Sequence, residues 1–290
     1  MTNGKGKRVL VAAVSDYQSG FRFGMLPPDV VLEPWGDRED YWTPRQTQVQ
    51  KQVWRWAEQG REAVVNAAGD DEIVVLHIGD VIHGDHSDHL ITDRLHDQYE
   101  IAAHALMYWA RLPNVKTIRL VKGSRWHSKA GGSAELSVAR LVRGLSGKDV
   151  RAWHHMLLTI DGVQFDIAHK RAAPGKRAWT SDTELRWYVK SFMLEHLKSG
   201  HRPPDVVLAG HYHDRVIVHQ HVHTWQGTVD TWGAVVPASS IMLDDYTIAA
   251  TRAKDHMTSG LLAFEIIDGR LKEVLDFTHT MDIRKEEVLR

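Results

Sequence analysis

Val206-Val207-Leu208-Ala209-Gly210-His211-Tyr212-His213 reads as a short buried strand that ends in a turn and delivers two imidazoles. Four consecutive apolar residues closed by a glycine are the pattern of a strand covered on both faces. Two histidines at one strand end can serve two metal ions, or one ion and one structural role. The pair becomes informative because three further polar residues stand at or just after other apolar runs: Asp16 after Val9 to Val14, Asp80 after Ile73 to Ile78, and His169 after Val163 to Ala168. Four such strand ends meeting on one edge would make a metal site.

Working outward, the chain has 290 residues, 43% apolar and 25% charged, with a formal net charge of -1. That length is enough to bury a sizeable core, and one domain spanning 1–290 is expected. The near-neutral balance argues against a bulk electrostatic binder of nucleic acid, while leaving local basic loops free to hold phosphate. There is no cysteine, which excludes disulfides, thiolate metal sites and cysteine nucleophiles, and is compatible with a reducing, cytoplasmic setting. Lys5-Gly6-Lys7-Arg8 before Val9 to Val14 imitates a signal peptide, but the apolar run is short and meets Asp16, so it reads as a first strand. No apolar stretch approaches the roughly 20 residues of a membrane helix, and no membrane partner is expected.

The elements follow in order. After the first strand, Phe21 to Trp42 carries three prolines and no period, which marks a long loop placed to act as a lid. Thr43-Pro44 opens a helix to Ala68, stopped by Gly69. Ile73 to Ile78, a helix from Asp93 to Arg111, and Val115 to Val121 continue the alternation of strand and helix, which implies a mostly parallel sheet. Ser133 to Arg143 is a helix with Gly144 as its C-cap. Met156 to Ile160 and Val163 to Ala168 form a hairpin through Asp161-Gly162, and Ser181 with Glu184 makes a capping box for a helix reaching Lys198. The remainder is β-rich. The expected fold is α/β: two packed mixed β-sheets flanked by helices.

A divalent ion that activates water needs anionic and imidazole ligands on rigid supports with open coordination positions. Asp16, Asp80, His169, His211 and His213 supply two carboxylates and three imidazoles. A central carboxylate such as Asp80 can bridge two ions about 3.5 to 4 Å apart. Mixed nitrogen and oxygen donors suit Mn, Fe, Zn or Ni more than Mg or Ca, with Mn favoured here.

In these motifs the chain resembles the calcineurin-like metallophosphoesterases, which show D-x-H after the first strand, G-D-x-x after the second, G-N-H-D/E after the third, a lone His, and G-H-x-H near the end. The matches are Asp16, Gly79-Asp80, His169 and Gly210-His211-Tyr212-His213, in the family's order, and Val236-Pro237-Ala238-Ser239-Ser240 is similar to the N-P-G-S segment that follows. The resemblance implies that Asp16, Asp80 and His213 hold one ion and that Asp80, His169 and His211 hold another. It implies hydrolysis of a phosphoester by a metal-activated hydroxide. Gln18 stands where the family has the first-motif His, as a neutral candidate ligand. Gly123-Ser124-Arg125-Trp126-His127 replaces the third motif, so Ser124 stands in the Asn position, either as a weak ligand or as a substrate contact. His127 becomes the candidate for the histidine that assists the leaving oxygen.

Lys170 and Arg171, with Lys176 and Arg177, form a basic loop able to hold substrate phosphates, and Trp126 and Trp179 lie in loops where a base could stack. A phosphodiester, with nucleic acid or a nucleotide as a candidate, is therefore favoured over a monoester. The rival is a non-catalytic or single-metal relative that binds nucleic acid or a protein. His83-Asp85-His86-Asp88-His89 overlaps the H-x-H-x-D-H run of metallo-β-lactamase-like hydrolases, but Gly84 occupies the first His position, and the cluster reads as a solvated or substrate-facing loop. His219, His221 and His223 read as one wet strand face. Trp54, Trp56, Trp109 and Trp187 read as helix packing.

Overall fold

The computed structural model describes residues 7–36, 39–86, 89–128, 132–171, 174, 180–225, 227–241 and 256–284. Its centre is β1 (Arg8–Val14), buried from Val9 onward. To one side lie β2 (Glu72–His77), β3 (Val115–Val121) and β4 (Asp149–Trp153), each parallel to its neighbour. To the other lie β10 (His256–Ile267) and β11 (Arg270–Asp282), antiparallel, giving the order β11-β10-β1-β2-β3-β4. A second sheet is built from β5 (Met156–Ile160), β6 (Val163–Ile167), β7 (Val206–Ala209), β8 (Val216–Thr224) and β9 (Gly227–Val235) in the order β5-β6-β7-β9-β8. It too is mixed, with β6, β7 and β9 parallel.

Strand alternation decides how the layers stack, because successive side chains point to opposite faces. Val9, Val11 and Ala13 join Val74, Leu76, Phe165, Ile167, Val206 and Leu208 in the core between the sheets, where Phe165 meets Phe264 edge-on at 5.7 Å. Leu10, Ala12 and Val14 face the other way, against α1 (Gln48–Ala68), α2 (Leu95–Ala110) and α4 (Ser133–Ser146). Leu185, Val189 and Met193 of α5 (Thr183–Lys198) cover the outer face of the second sheet. The result is two mixed sheets back to back with helices outside, the α/β architecture expected.

Several boundaries differ from the sequence reading for local reasons. Helix α1 starts later because Thr47 and Gln50, not Thr43-Pro44, form the reciprocal capping box. Gly144 lies inside α4, and Gly147 closes it at φ 68. The Ser181–Glu184 box does not form; Asp182 sits at the N-cap of α5 without a side-chain cap bond. In the 21–36 and 39–42 stretches, Leu26, Val30 and Leu32 cluster with Ile101 of α2, and Trp42 packs against them. Trp187 is 63% exposed, so it does not pack as expected, whereas Trp54 and Trp109 do.

Candidate metal centre

The loops that leave β1, β2, β6 and β7 gather at one edge. Backbone bonds tie them together: Asp16 N–H donates to Gly79 O at 3.0 Å, Gln18 N–H to Asp80 O at 3.0 Å, and Gly210 N–H to His169 O at 2.9 Å. Among the described residues seven other than glycine have positive φ. Two of them, Asp161 and Asp268, are in hairpin turns; the other five are Asp16, Gln18, Asp80, His211 and His213. Left-handed backbone costs such residues roughly 1 kcal/mol or more each. That strain is concentrated where the sequence placed its candidate ligands.

Three donors converge. One ligand atom each from Asp80, His169 and His211 lies within 4.8 Å of the others. His169 is buried, and its Nδ1 donates to Ile78 O at 2.5 Å, which turns Nε2 toward Asp80 Oδ2 at 3.0 Å. That approach has ion-pair distance without hydrogen-bond alignment, so Nε2 has no hydrogen-bond partner. Burial pulls the His169 imidazole down, but the charges of Asp80 and Asp16 outweigh it and raise its pKa to about 10. Burial, reinforced by the His169 charge, lowers that of His211 to about 4. For Asp16 and Asp80, burial pushes upward while the charge of the neighbouring imidazoles, His169 first, holds both below the usual carboxylate range. A buried cluster of carboxylate oxygens and imidazole nitrogens, with His169 Nε2 not taken up by hydrogen bonding, fits a divalent transition metal ion that displaces the imidazolium proton.

Beside it, Asp16 Oδ1 is buried without a hydrogen-bond partner, 3.5 Å from His213 Nε2. Its Oδ2 accepts from the Ser15 hydroxyl and, at 3.1 Å, from His211 N–H. Gln18 is buried between two imidazoles: its amide nitrogen is 3.2 Å from His213 Nε2 and its oxygen 3.2 Å from His83 Nδ1. Ser124 gives both its donors to Asp80, N–H to Oδ1 at 2.6 Å and hydroxyl to Oδ2 at 3.2 Å. Gly123 permits this, because a Cβ there would fall on the Asp80 carboxylate. His127, on the single-turn helix α3 (Arg125–Ser128), is oriented by Nδ1 donating to His83 O at 2.6 Å.

The remaining candidates separate. Lys170 is exposed next to His169. Arg171 is committed elsewhere: its guanidinium pairs with Asp166 and donates to Tyr188 Oη at 2.6 Å. Lys176, Arg177, Trp179 and Asp88 lie outside the described residues. His219, His221 and His223 are exposed along β8, with His219 stacked on Trp232 at 4.3 Å.

Sequence reasoning missed two residues. His83, read as part of a solvated or substrate-facing loop, is 2% exposed and stacks flat on Phe21 at 4.0 Å. His77 is fully buried with neither ring nitrogen hydrogen-bonded, and burial lowers its pKa to about 3. In both cases the available signal was a lone polar residue within an apolar run, Val81-Ile82-His83 and Ile73 to Ile78.

The sheet order, the strand-end donors and their order along the chain agree. The fold is an α/β sandwich of two mixed sheets flanked by helices. No family model matches the chain, and no curated protein matches it. Among solved structures it is similar to sulfate thiohydrolase SoxB from Thermus thermophilus in complex with glycerol, at 12% identity and TM-score 0.36, covering 94% of this chain. The chain spans 56% of the length of that protein. It is also similar to a metallophosphoesterase from Sphaerobacter thermophilus, at 12% identity and TM-score 0.33, covering 95% of this chain and 89% of the other. Likenesses this distant bear on neither activity nor substrate. Among the described residues no helix is long and apolar enough to cross a membrane.

Proposed function

We infer that the protein is a metal-dependent phosphoesterase acting on a phosphodiester. The observation that carries the reading is the buried convergence of Asp80, His169 and His211, next to an Asp16 oxygen that lacks a hydrogen-bond partner. Asp80, His169 and His211 would hold one divalent ion, and Asp16, His213 and Gln18, sharing Asp80, a second. A divalent ion there supplies Lewis acidity toward a phosphoryl oxygen and lowers the pKa of water.

The chain's own groups do the rest. Ser124 locks both oxygens of Asp80 in place, so the carboxylate is oriented before substrate arrives. His127 is fixed through Nδ1, which leaves Nε2 to give a proton to the departing oxygen. Lys170 offers a positive charge to the non-bridging oxygens.

The test is metal analysis of the purified protein together with hydrolysis of bis-p-nitrophenyl phosphate in Mn(II). Bound metal and turnover that Asp80→Ala and His211→Ala abolish are expected. No bound metal and no turnover across Mn, Fe, Zn and Ni would overturn the reading. A single-ion form of the same site is the second reading, favoured by Gln18: its amide lies against the His213 nitrogen that would otherwise serve the second ion. A stoichiometry of one ion per chain would select it.

A further inference from the structure

Beside the candidate metal centre, aromatic rings run in a row from the core to solvent. Phe21 is fully buried, and His83 lies flat on it at 4.0 Å and 6°. His86 follows His83 at 5.3 Å and 19°, and Trp126 follows His86 at 5.7 Å and 50°. His127 closes against the same row, 4.9 Å from His83 and 5.2 Å from His86. At the solvent end Trp126 is 70% exposed. The inner rings of the row, Phe21 and His83, are buried, whereas His86 and the large indole of Trp126 stand open to solvent beside the histidine that would assist the leaving group.

The row is also held rigidly. Gln98 of α2, fully buried, accepts from Gly84 N–H at 2.8 Å and donates to Gly84 O at 2.8 Å and Thr92 O at 2.9 Å. Gly84 has φ 92, and a Cβ there would press on the Trp126 carbonyl and the His86 ring at 3.0 Å. The loop that carries His83 and His86 is thus fastened from beneath by one amide and packs directly on the helix that carries Trp126 and His127. Preorganised rings lose little conformational entropy when a planar ligand stacks on them.

We propose that Trp126, backed by His86, is the stacking platform for a nucleobase attached to the scissile phosphoester. The proposal rests on the phosphoesterase reading and names its substrate class: a nucleotidyl ester, with the phosphate at the Asp80–His169–His211 cluster, the leaving oxygen at His127 and the base on the indole. Stacking on an aromatic side chain tolerates any base, so affinity depends on the presence of a base more than on its identity.

The experiment is calorimetric binding of AMP and of ribose 5-phosphate to the protein, with and without Mn(II). Base stacking is expected to make AMP bind about tenfold tighter or more. Trp126→Ala should bring AMP to the affinity of ribose 5-phosphate without changing the latter, and Trp126→Phe should keep part of the preference. Trp225 is 91% exposed at the β8–β9 turn, the end of β8 remote from the strand ends that bear the site, so Trp225→Ala should keep it all. Equal affinities in the unaltered protein, or a preference that survives Trp126→Ala, would overturn the proposal. Oligoadenylate of about ten residues separates the sources of the base: tighter binding than AMP assigns it to a nucleic acid strand, equal binding to a free nucleotide ester. Metal-dependent turnover with no base preference removes the platform and leaves the phosphoesterase reading. Base preference with no turnover does the reverse.

Discussion

Loading a divalent ion at Asp80, His169 and His211 should release one proton, and that proton should come from His169. In the metal-free protein His169 has its pKa raised to about 10 because it is the cation between two buried carboxylates. A metal ligand must be neutral imidazole, so at pH 7 the ion displaces a proton held about three units above ambient, a penalty of roughly 4 kcal/mol at 1.36 kcal/mol per unit. His211, lowered to about 4, contributes no proton above pH 5. The sign follows. The raised pKa stabilises the metal-free fold fully below about pH 6.5, and that contribution fades as pH rises toward 10. Metal affinity runs the other way, rising about tenfold per unit and about hundredfold between pH 6 and 8. Titrating Mn(II) calorimetrically in buffers of different ionisation enthalpy counts the proton. His169→Asn should bind more weakly and with a flat profile, which separates His169 from any other proton source. An affinity that is flat between pH 6 and 8 in the unaltered protein would refute the argument.

Three further outcomes are expected. Phe264→Ala, which removes a fully buried ring from between the sheets, should cost about 3 to 5 kcal/mol in urea unfolding; a loss under about 1 kcal/mol would contradict the packing described. Thr47→Ala should cost about 1 kcal/mol through the α1 cap while leaving metal affinity unchanged, as unfolding and titration together would show. Gly123→Ala should abolish metal binding, since its methyl displaces the Asp80 carboxylate; retained affinity would mean that Asp80 is not held as described.

The strands that carry the site were legible because they are short apolar runs ended by Gly or a polar residue. β3 and β7 fall at the residues expected, and β1, β2 and β6 within a residue. β4 was not legible: Asp149-Val150-Arg151-Ala152-Trp153 is a polar edge strand whose Asp149 pairs with Arg119 and Arg151, and no period distinguishes such a run from a loop. Helix ends went astray where two caps compete within a few residues, as at Thr43 and Thr47 or Gly144 and Gly147, because the choice depends on packing at the helix face. At the site, residue types and order were readable, but spatial partners were not. That Arg171 faces Asp166 and Tyr188, and that Gln18 bridges His83 and His213, depends on contacts across 5 to 195 positions that no local pattern encodes.

The cluster draws Asp80 from the first sheet and His169 and His211 from the second. An ion gripped by all three is a rivet through the seam between two layers whose shared core is apolar and whose rim carries a few hydrogen bonds such as His169 to Ile78 O and His211 N–H to Asp16. Sliding one sheet past the other would break coordination, so ion occupancy reports on the register of the whole sandwich. By mass action, an ion at a hundred times its dissociation constant adds about 2.7 kcal/mol of stability. Chelation would therefore loosen the sandwich as a unit, in addition to silencing any chemistry at its edge.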